Sequence, residues 1–179
     1  MSCAQQALSL DATEPWCHMT MGFVLSHLGK RDLAGPHFDR AVALNPIDVQ
    51  IAYARAWWLA RIGRAKEALE ALDMALQRDP FPPAWFWEVR AIALLVERRY
   101  EDVIQALARM DYQHAWDHAY IAACHAYLDR LSEARAAASE ALKGDPHFTI
   151  SRYAQVEGYS MPSELAHLLE GFRKAGLPE

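Results

Sequence analysis

The chain has 179 residues, 53% of them hydrophobic, and its formal net charge at pH 7 is −5. A negative balance disfavours nucleic acid and anionic membranes as main partners, because both require a basic surface. The three cysteines are widely spaced and none forms a CxxC pair, so the sequence suggests neither a disulfide framework nor a zinc knuckle. The N-terminus lacks a secretory signal pattern and no apolar run is long enough to span a membrane, so we expect a cytoplasmic protein.

The chain begins with what we interpret as the remnant of an upstream repeat, residues 1–14. Four of its positions precede equivalent residues by a constant 34 positions: Ala7, Leu8, Leu10 and Asp11 precede Ala41, Val42, Leu44 and Asn45. The spacing predicts that the chain starts inside the second helix of an earlier hairpin. This unpaired fragment has an apolar edge over residues 7–10, and the pattern predicts that this edge pairs with a second copy of the chain in a homodimer.

The next two segments, residues 15–48 and 49–82, repeat the same pattern. Five positions recur 34 residues apart: Gly29, Ala34, Phe38, Ala41 and Pro46 return as Gly63, Ala68, Leu72, Ala75 and Pro80. This period is typical of stacked helical hairpins. It predicts helices over Pro15–Leu28 and Leu33–Leu44, then over Val49–Ile62 and Ala65–Gln77.

Small residues should lie where the paired helices cross closely, with a large side chain beside them. Gly22, Ala34 and Ala41 are such positions, and Phe38 is expected to fill the adjoining space. One local feature conflicts with the pattern: Gly35-Pro36 should kink or delay the second helix, because proline lacks the backbone N–H.

The third segment, residues 83–114, is irregular, and the fourth, residues 115–148, restores the pattern. Helices are predicted over Trp85–Val96 and Tyr100–Ala108, but the closing proline is missing. Arg98 and Asp129 occupy the positions where the earlier hairpins have their turn glycines. Pro146 closes the fourth segment as Pro46 and Pro80 close the first two.

Residues 149–179 are predicted to cap the array. One helix should begin over Phe148–Val156, and a final helix should follow Ser160-Met161-Pro162. Four apolar residues of the final helix have the spacing of an amphipathic stripe: Leu165, Leu168, Leu169 and Phe172. A terminal helix with a polar outer face is what a repeat array needs for solubility.

The hairpin pattern resembles that of tetratricopeptide-repeat proteins. Three passages, GFVLSHLGKRDLAGPHFDRAVALNP, DPFPPAWFW and PSELAHLLEGFRKAGLPE, are similar to the C-terminal repeat region of bacterial proteins that carry a class III adenylate/guanylate cyclase domain or a winged-helix regulator domain. The resemblance implies an all-α, right-handed superhelical solenoid of about four antiparallel hairpins plus a capping helix, forming one domain over residues 1–179. It implies a regulatory or protein-binding module and no catalytic residues.

In this architecture, the first helix of each hairpin lines a concave groove. The inward-facing residues would be Trp16, Met19, Phe23, His27, Tyr53, Trp57, Arg61, Trp85, Glu88, Ile92, Trp116, Tyr120 and Tyr127. Exposed apolar surface of this kind marks interaction sites, and Trp, Tyr and Arg commonly anchor interfaces. The alternative is that these rings simply pack between neighbouring helices. The groove lacks the Lys and Asn residues that some family members use to hold a peptide carboxylate.

Catalytic or metal chemistry has little support in the sequence. His114, His118 and His125 share one helix face, and two histidines one turn apart can chelate zinc or nickel. However, the HExxH form of a metal hydrolase is missing and no second helix offers complementary ligands. We therefore expect structural histidines, no cofactor and no metal.

The sequence thus predicts a non-enzymatic module that binds a peptide or partner domain in an aromatic concave groove. The alternative is the regulatory or dimerisation region of a larger signalling protein, such as a nucleotide cyclase or a transcriptional regulator.

Overall fold

The computed structural model describes residues 3–156 and 161–179, and this part of the chain forms eleven α-helices and no strands. The predicted all-α class is therefore confirmed. The helices separate into two compact units, residues 1–82 and 83–179, which we describe one at a time. The boundary falls between the predicted second and third segments.

Unit 1 contains five helices, which agree closely with the sequence prediction. They are α1 (Cys3–Leu10), α2 (Pro15–His27), α3 (Arg31–Leu44), α4 (Val49–Arg61) and α5 (Ala65–Arg78). A carboxylate side chain caps the N-terminus of the first helix in both hairpins of this unit. Glu14 accepts a hydrogen bond from the Trp16 amide at 3.2 Å, and Asp48 accepts one from the Gln50 amide at 2.9 Å. Such caps satisfy amide groups that have no partner within the helix.

The α2–α3 hairpin depends on a close helix crossing at Gly22. A Cβ atom on Gly22 would lie 2.8 Å from the Phe38 ring, and Ala34, Phe38 and Ala41 are completely buried. The predicted role of these small residues is therefore confirmed.

The delay expected at Gly35-Pro36 is wrong, because α3 begins at Arg31 and continues through Pro36. The missing hydrogen bond of an internal proline costs about 3 kcal/mol. The burial of Phe38 and Ala41 offsets this cost, because removing apolar surface from water stabilises the fold by about 25 cal/mol per Å². Both side chains are buried only if α3 is helical at this point. Gly35 also lets the Trp58 ring approach to where a Cβ atom would be only 2.7 Å away.

Unit 2 contains six helices. They are α6 (Ala84–Val96), α7 (Tyr100–Leu107), α8 (Ala115–Tyr127), α9 (Leu131–Gly144), α10 (Ile150–Val156) and α11 (Pro162–Ala175). The helix α10 begins two residues later than predicted, and Phe148 is buried just before it. Ser160, which the sequence places before the final helix, lies outside the described residues.

The final helix α11 packs closely against α8. A Cβ atom on Gly171 would lie 2.8 Å from the Ala123 Cβ and 2.7 Å from the Tyr127 ring. Leu168 and Phe172 of the predicted apolar stripe are buried, whereas Leu165 and Leu169 are half-buried. The Ile150 amide donates to the Pro178 carbonyl at 2.8 Å, which attaches the C-terminal tail to the start of α10.

The hairpin turns require a left-handed backbone conformation. Gly29 has φ of +72°, and Asp129 adopts +58° at the equivalent turn. No atom lies within 4 Å of a Cβ built on Gly29. We therefore predict that Gly29→Ala costs about 1 kcal/mol of unfolding free energy, entirely from backbone strain. Gly29→Asp should cost less, because Asp tolerates this region better. Denaturant unfolding measures both, and an unchanged midpoint for Gly29→Ala would contradict the prediction.

Candidate functional site

The structure sorts the thirteen predicted groove residues into three groups by exposure. Trp16, Trp85 and Trp116 are 45%, 38% and 42% exposed, and His27 is exposed as well. Six are half-buried: Met19, Phe23, Trp57, Arg61, Glu88 and Tyr127. The other three, Tyr53, Ile92 and Tyr120, are buried. Direct contact with a partner is therefore open to the first two groups only.

In unit 1, four of the predicted residues form one aromatic cluster around Trp57. The His27 ring stacks on Trp57 with centroids 5.8 Å apart, and the Phe23 ring lies 5.1 Å away. The Arg61 guanidinium lies over the same indole, 4.7 Å from its centroid, in cation–π geometry. The cluster forms because each pair of residues is one helical turn apart, on α2 and on α4. Trp57 is therefore held rigidly, with only part of its surface available.

Burial removes Tyr53 from this surface. Its side chain is completely buried in α4, and that burial, with a smaller contribution from the Asp79 charge, raises the pKa of the phenol to about 12. The hydroxyl therefore stays protonated at any physiological pH. Tyr53 contributes to packing and not to a contact surface.

In unit 2, α11 covers the part of α8 that carries Tyr120 and Tyr127. The Phe172 ring stacks on Tyr120, with centroids 6.4 Å apart, and the His167 ring stacks on Tyr127 at 4.2 Å. The Tyr127 hydroxyl donates to the His167 carbonyl at 2.5 Å. This stretch of the predicted groove face is thus occupied by the chain's own final helix.

The pKa shifts of Tyr127 and His167 both favour the uncharged form of the side chain. Burial, and then the neighbouring Tyr100, raise the pKa of Tyr127 to about 12. Burial, and then the Arg98 charge, lower the pKa of His167 below its usual value. Both shifts favour neutral side chains, so the contact between α8 and α11 is built without a buried charge at these two rings.

The N-terminal end of α8 places one predicted groove residue, Trp116, beside open space. A cavity of about 320 Å³ adjoins Trp116, and its walls are mostly apolar. The residues that line it come from α6, α8, α10 and the segment before α10: Glu88, Trp116, Asp145, Phe148, Thr149, Arg152, Tyr153 and Val156. Glu88 and Trp116 are thus two predicted groove residues that the fold brings to one cavity.

A second cavity, of about 640 Å³, adjoins the first across Trp116. Trp116, Asp145, Phe148 and Arg152 line both, and Tyr112, His114 and Lys143 are among the other lining residues. The His114 ring stacks on Trp116, with centroids 4.5 Å apart. We call the two cavities together the Trp116 cleft.

Sequence reasoning missed the half of this cleft that α10 supplies. Arg152 and Val156 are four residues apart in α10, which places them on one helical face, and Phe148 lies two residues before that helix begins. That spacing was the available signal, but the segment was interpreted only as part of a cap. The chain order alone does not show that this face turns toward Trp116.

The histidines and other titratable groups do not assemble a metal site in the part of the chain that the structure describes. No three His, Cys, Asp or Glu side chains come together in a metal-binding arrangement there. Asp117, between the histidines, is buried and accepts from the His114 amide at 2.7 Å, and its pKa is raised by burial. Nor is any helix among these residues both long and apolar enough to cross a membrane.

Stacked antiparallel hairpins with aromatic first helices define a helical-repeat protein, and solved structures support this class. PilW, described as a widely conserved type IV pilus biogenesis factor, is 17% identical, with 96% of this chain and 78% of that chain aligned, at a TM-score of 0.73. TTC0263, a thermophilic tetratricopeptide-repeat protein of Thermus thermophilus, is 23% identical, with 90% and 89% aligned, at 0.64.

YrrB is described as a tetratricopeptide-repeat protein with an unusual peptide-binding site. It is 16% identical, with 97% of this chain and 91% of that chain aligned, at a TM-score of 0.61. No protein-family model matches the sequence, and no curated protein matches it. At these identities the likeness establishes the fold, so the chain has the tetratricopeptide-repeat fold.

Proposed function

We propose that this protein is a non-catalytic module that binds a peptide or a partner domain through the aromatic surface of its repeat helices. The observation that carries the proposal is the Trp116 cleft, where a 42% exposed indole lies beside a mostly apolar cavity. Tryptophan is enriched among the residues that dominate binding energy at interfaces. The peptide-binding site named for YrrB is in keeping with this use of the fold.

The Trp57 cluster is the second surface that the proposal includes. Its indole edge, His27 and Arg61 present aromatic and cationic groups on the first helices of unit 1. Arg61 is held over the ring, so little side-chain entropy remains to be lost when a partner binds. A pre-ordered cluster of this kind suits recognition of a partner's exposed side chains.

Panning a displayed random peptide library against the wild-type protein tests the proposal. We expect some peptides to be enriched. We expect Trp116→Ala or Trp57→Ala to lower the affinity of these peptides at least about tenfold, which corresponds to about 1.4 kcal/mol of binding free energy. Leu33→Ala is the control, because Leu33 is 59% exposed on α3 and belongs to neither surface. Fluorescence polarisation gives the affinities, and circular dichroism checks folding.

Two outcomes would contradict the proposal. One is the failure of any peptide to be enriched over an unrelated helical protein. The other is a set of enriched peptides that bind both tryptophan variants as tightly as they bind the wild type.

A second candidate is the regulatory or dimerisation region of a larger signalling protein, such as a cyclase or a transcriptional regulator. The observation in its favour is α1, where Leu10 is 88% exposed while Ala7 and Leu8 are half-buried. The similarity of three passages to cyclase-linked repeat regions also supports it. A cyclase or DNA-binding domain encoded in frame upstream would favour this candidate, and light scattering that shows only monomers would count against self-association through α1.

A further inference from the structure

We propose that the Trp116 cleft binds a short, extended peptide segment that inserts one aromatic side chain between Trp116 and Phe148, and that the residues flanking this anchor are neutral or basic. This inference rests on the proposed function and specifies the chemistry of the ligand. Four features of unit 2 carry it: the covered face of α8, the size of the smaller cavity, its walls, and the charges around it.

The ligand has to be short along α8, because α11 covers the rest of that helix. Beyond Trp116, the next groove-facing residue is Tyr120, which is 2% exposed beneath Phe172. Further along, Ala123 and Tyr127 touch the helix at Gly171. A partner helix lying lengthwise on α8 would need this same surface. The N-terminal turn of α8 is therefore the part of its groove face that offers an exposed side chain, Trp116, to a ligand.

The smaller cavity has the dimensions of a pocket for one large side chain. Its volume of about 320 Å³ lies at the low end of the range for binding pockets. The larger cavity shares four lining residues with it, so the peptide backbone can continue from one into the other. An anchor in the first and adjacent residues in the second describe an extended segment of a few residues.

The walls of the smaller cavity favour an aromatic anchor. Phe148 and Tyr153 are 6% and 8% exposed and pack against each other with centroids 6.1 Å apart, which makes this wall rigid. The Tyr120 and Tyr153 hydroxyls lie 2.8 Å apart, and the hydrogen bond between them fixes the Tyr153 ring in this wall. Trp116 lines the same cavity and is 42% exposed, with the His114 ring stacked on it. Aromatic pairs gain about 0.5–1.5 kcal/mol beyond the area they bury.

The charged side chains around the cleft do not favour an anionic ligand. Arg152 is 3.1 Å from an Asp145 oxygen, and Lys143 is 2.7 Å from a Glu140 oxygen, so both cations already hold carboxylates. Glu88 adds a further carboxylate to the lining. With a chain charge of −5, acidic flanking residues are disfavoured.

Blocked tripeptides test the inference directly. The probes are acetyl-Ala-X-Ala-amide with X as Trp, Phe, Leu or Ala, together with acetyl-Lys-Trp-Lys-amide and acetyl-Glu-Trp-Glu-amide, each titrated at millimolar concentration. The reporters are NMR signals of the Trp116 indole, the Thr149 amide and the Val156 methyl groups. We expect saturable shifts for Trp and Phe, at least about tenfold weaker binding for Ala, and Lys-flanked peptide binding more tightly than Glu-flanked peptide.

Variants at the cleft mouth provide the matched control. Val156 lines the cavity and is 79% exposed, so Val156→Asp places a charge at the mouth without disturbing the core. Gln155→Asp adds the same charge at an exposed neighbour that does not line the cavity. The first should weaken the Trp peptide at least about fivefold, and the second should leave its affinity nearly unchanged.

The inference is overturned if all six peptides bind equally, if the Glu-flanked peptide binds best, or if no cleft signal responds to any of them. It also fails if both Asp variants behave alike. None of these results decides the proposed function. Library peptides that bind the wild type and depend on Trp57 would still support peptide binding, but at the Trp57 cluster and not at the Trp116 cleft.

Discussion

Replacing Phe172 by alanine is expected to destabilise unit 2 by about 3–5 kcal/mol, the largest single effect predicted for this protein. Phe172 is completely buried and contacts three rings, with centroids 5.1 Å from Tyr153, 5.8 Å from Phe148 and 6.4 Å from Tyr120. Alanine would leave a cavity at the centre of this aromatic group. The surrounding rings belong to different elements and cannot collapse into the space together.

Denaturant unfolding measures the loss, and hydrogen exchange should locate it in α8 and α11. Phe81→Ala is the matched control, because it removes the same atoms from a side chain that is 91% exposed. Its effect should stay within about 0.5 kcal/mol. Equal unfolding free energies for the two variants would show that α11 is not held by Phe172.

The second large effect is a coupling between Gly22 and Phe38 across the α2–α3 crossing. Gly22→Ala would place a Cβ atom within 2.8–3.0 Å of three Phe38 ring atoms. The ring cannot retreat, because Phe23 and Trp58 lie 5.4 and 5.9 Å away and Phe38 is completely buried. Overpacking of this kind costs about 1–3 kcal/mol. We therefore expect Gly22→Ala to destabilise, although alanine is the better helix former.

The next hairpin shows the compensating pair. Ala56 and Leu72 lie 34 residues after Gly22 and Phe38, and both are completely buried. Phe38→Leu alone should cost about 1–2 kcal/mol through lost volume. The variant that carries both Gly22→Ala and Phe38→Leu should be destabilised by less than the sum of the two single changes. The difference, which is the coupling energy of a double-mutant cycle, should be about 1–2 kcal/mol. Strictly additive costs would contradict the packing described for this crossing.

Much of the fold could be predicted from the sequence because its signals are local. The 34-residue recurrence from Ala34 to Ala68 and the stops at Pro46 and Pro80 locate the first two hairpins. Arg98 and Asp129 occupy the turn positions where the first two hairpins have glycine, which the sequence also shows. Both residues adopt positive φ, at 59° and 58°. Backbone preference and proline exclusion act over a few residues, so these features are visible without tertiary contacts.

The candidate site was predicted only in part. Trp57 and its neighbours come together as their helical spacing suggests, and Trp116 faces open space. However, Tyr53, Ile92 and Tyr120 have the same pattern and are buried. A position on the groove side of a helix does not reveal whether another element covers it, because covering depends on residues distant in the chain.

The sequence by itself determined the class of element, the hairpin order and the aromatic character of the first helices, since each follows from periodicity and local sterics. Only the tertiary structure decided which of those aromatics are accessible. Gly171 lets α11 approach Ala123 and Tyr127 closely, and the burial of Phe172 holds α11 there. The Gly171 contacts join residues that are 44 and 48 positions apart in the chain, and no local pattern encodes them. They leave the Trp116 end of α8 as the part of its groove face with an exposed aromatic side chain.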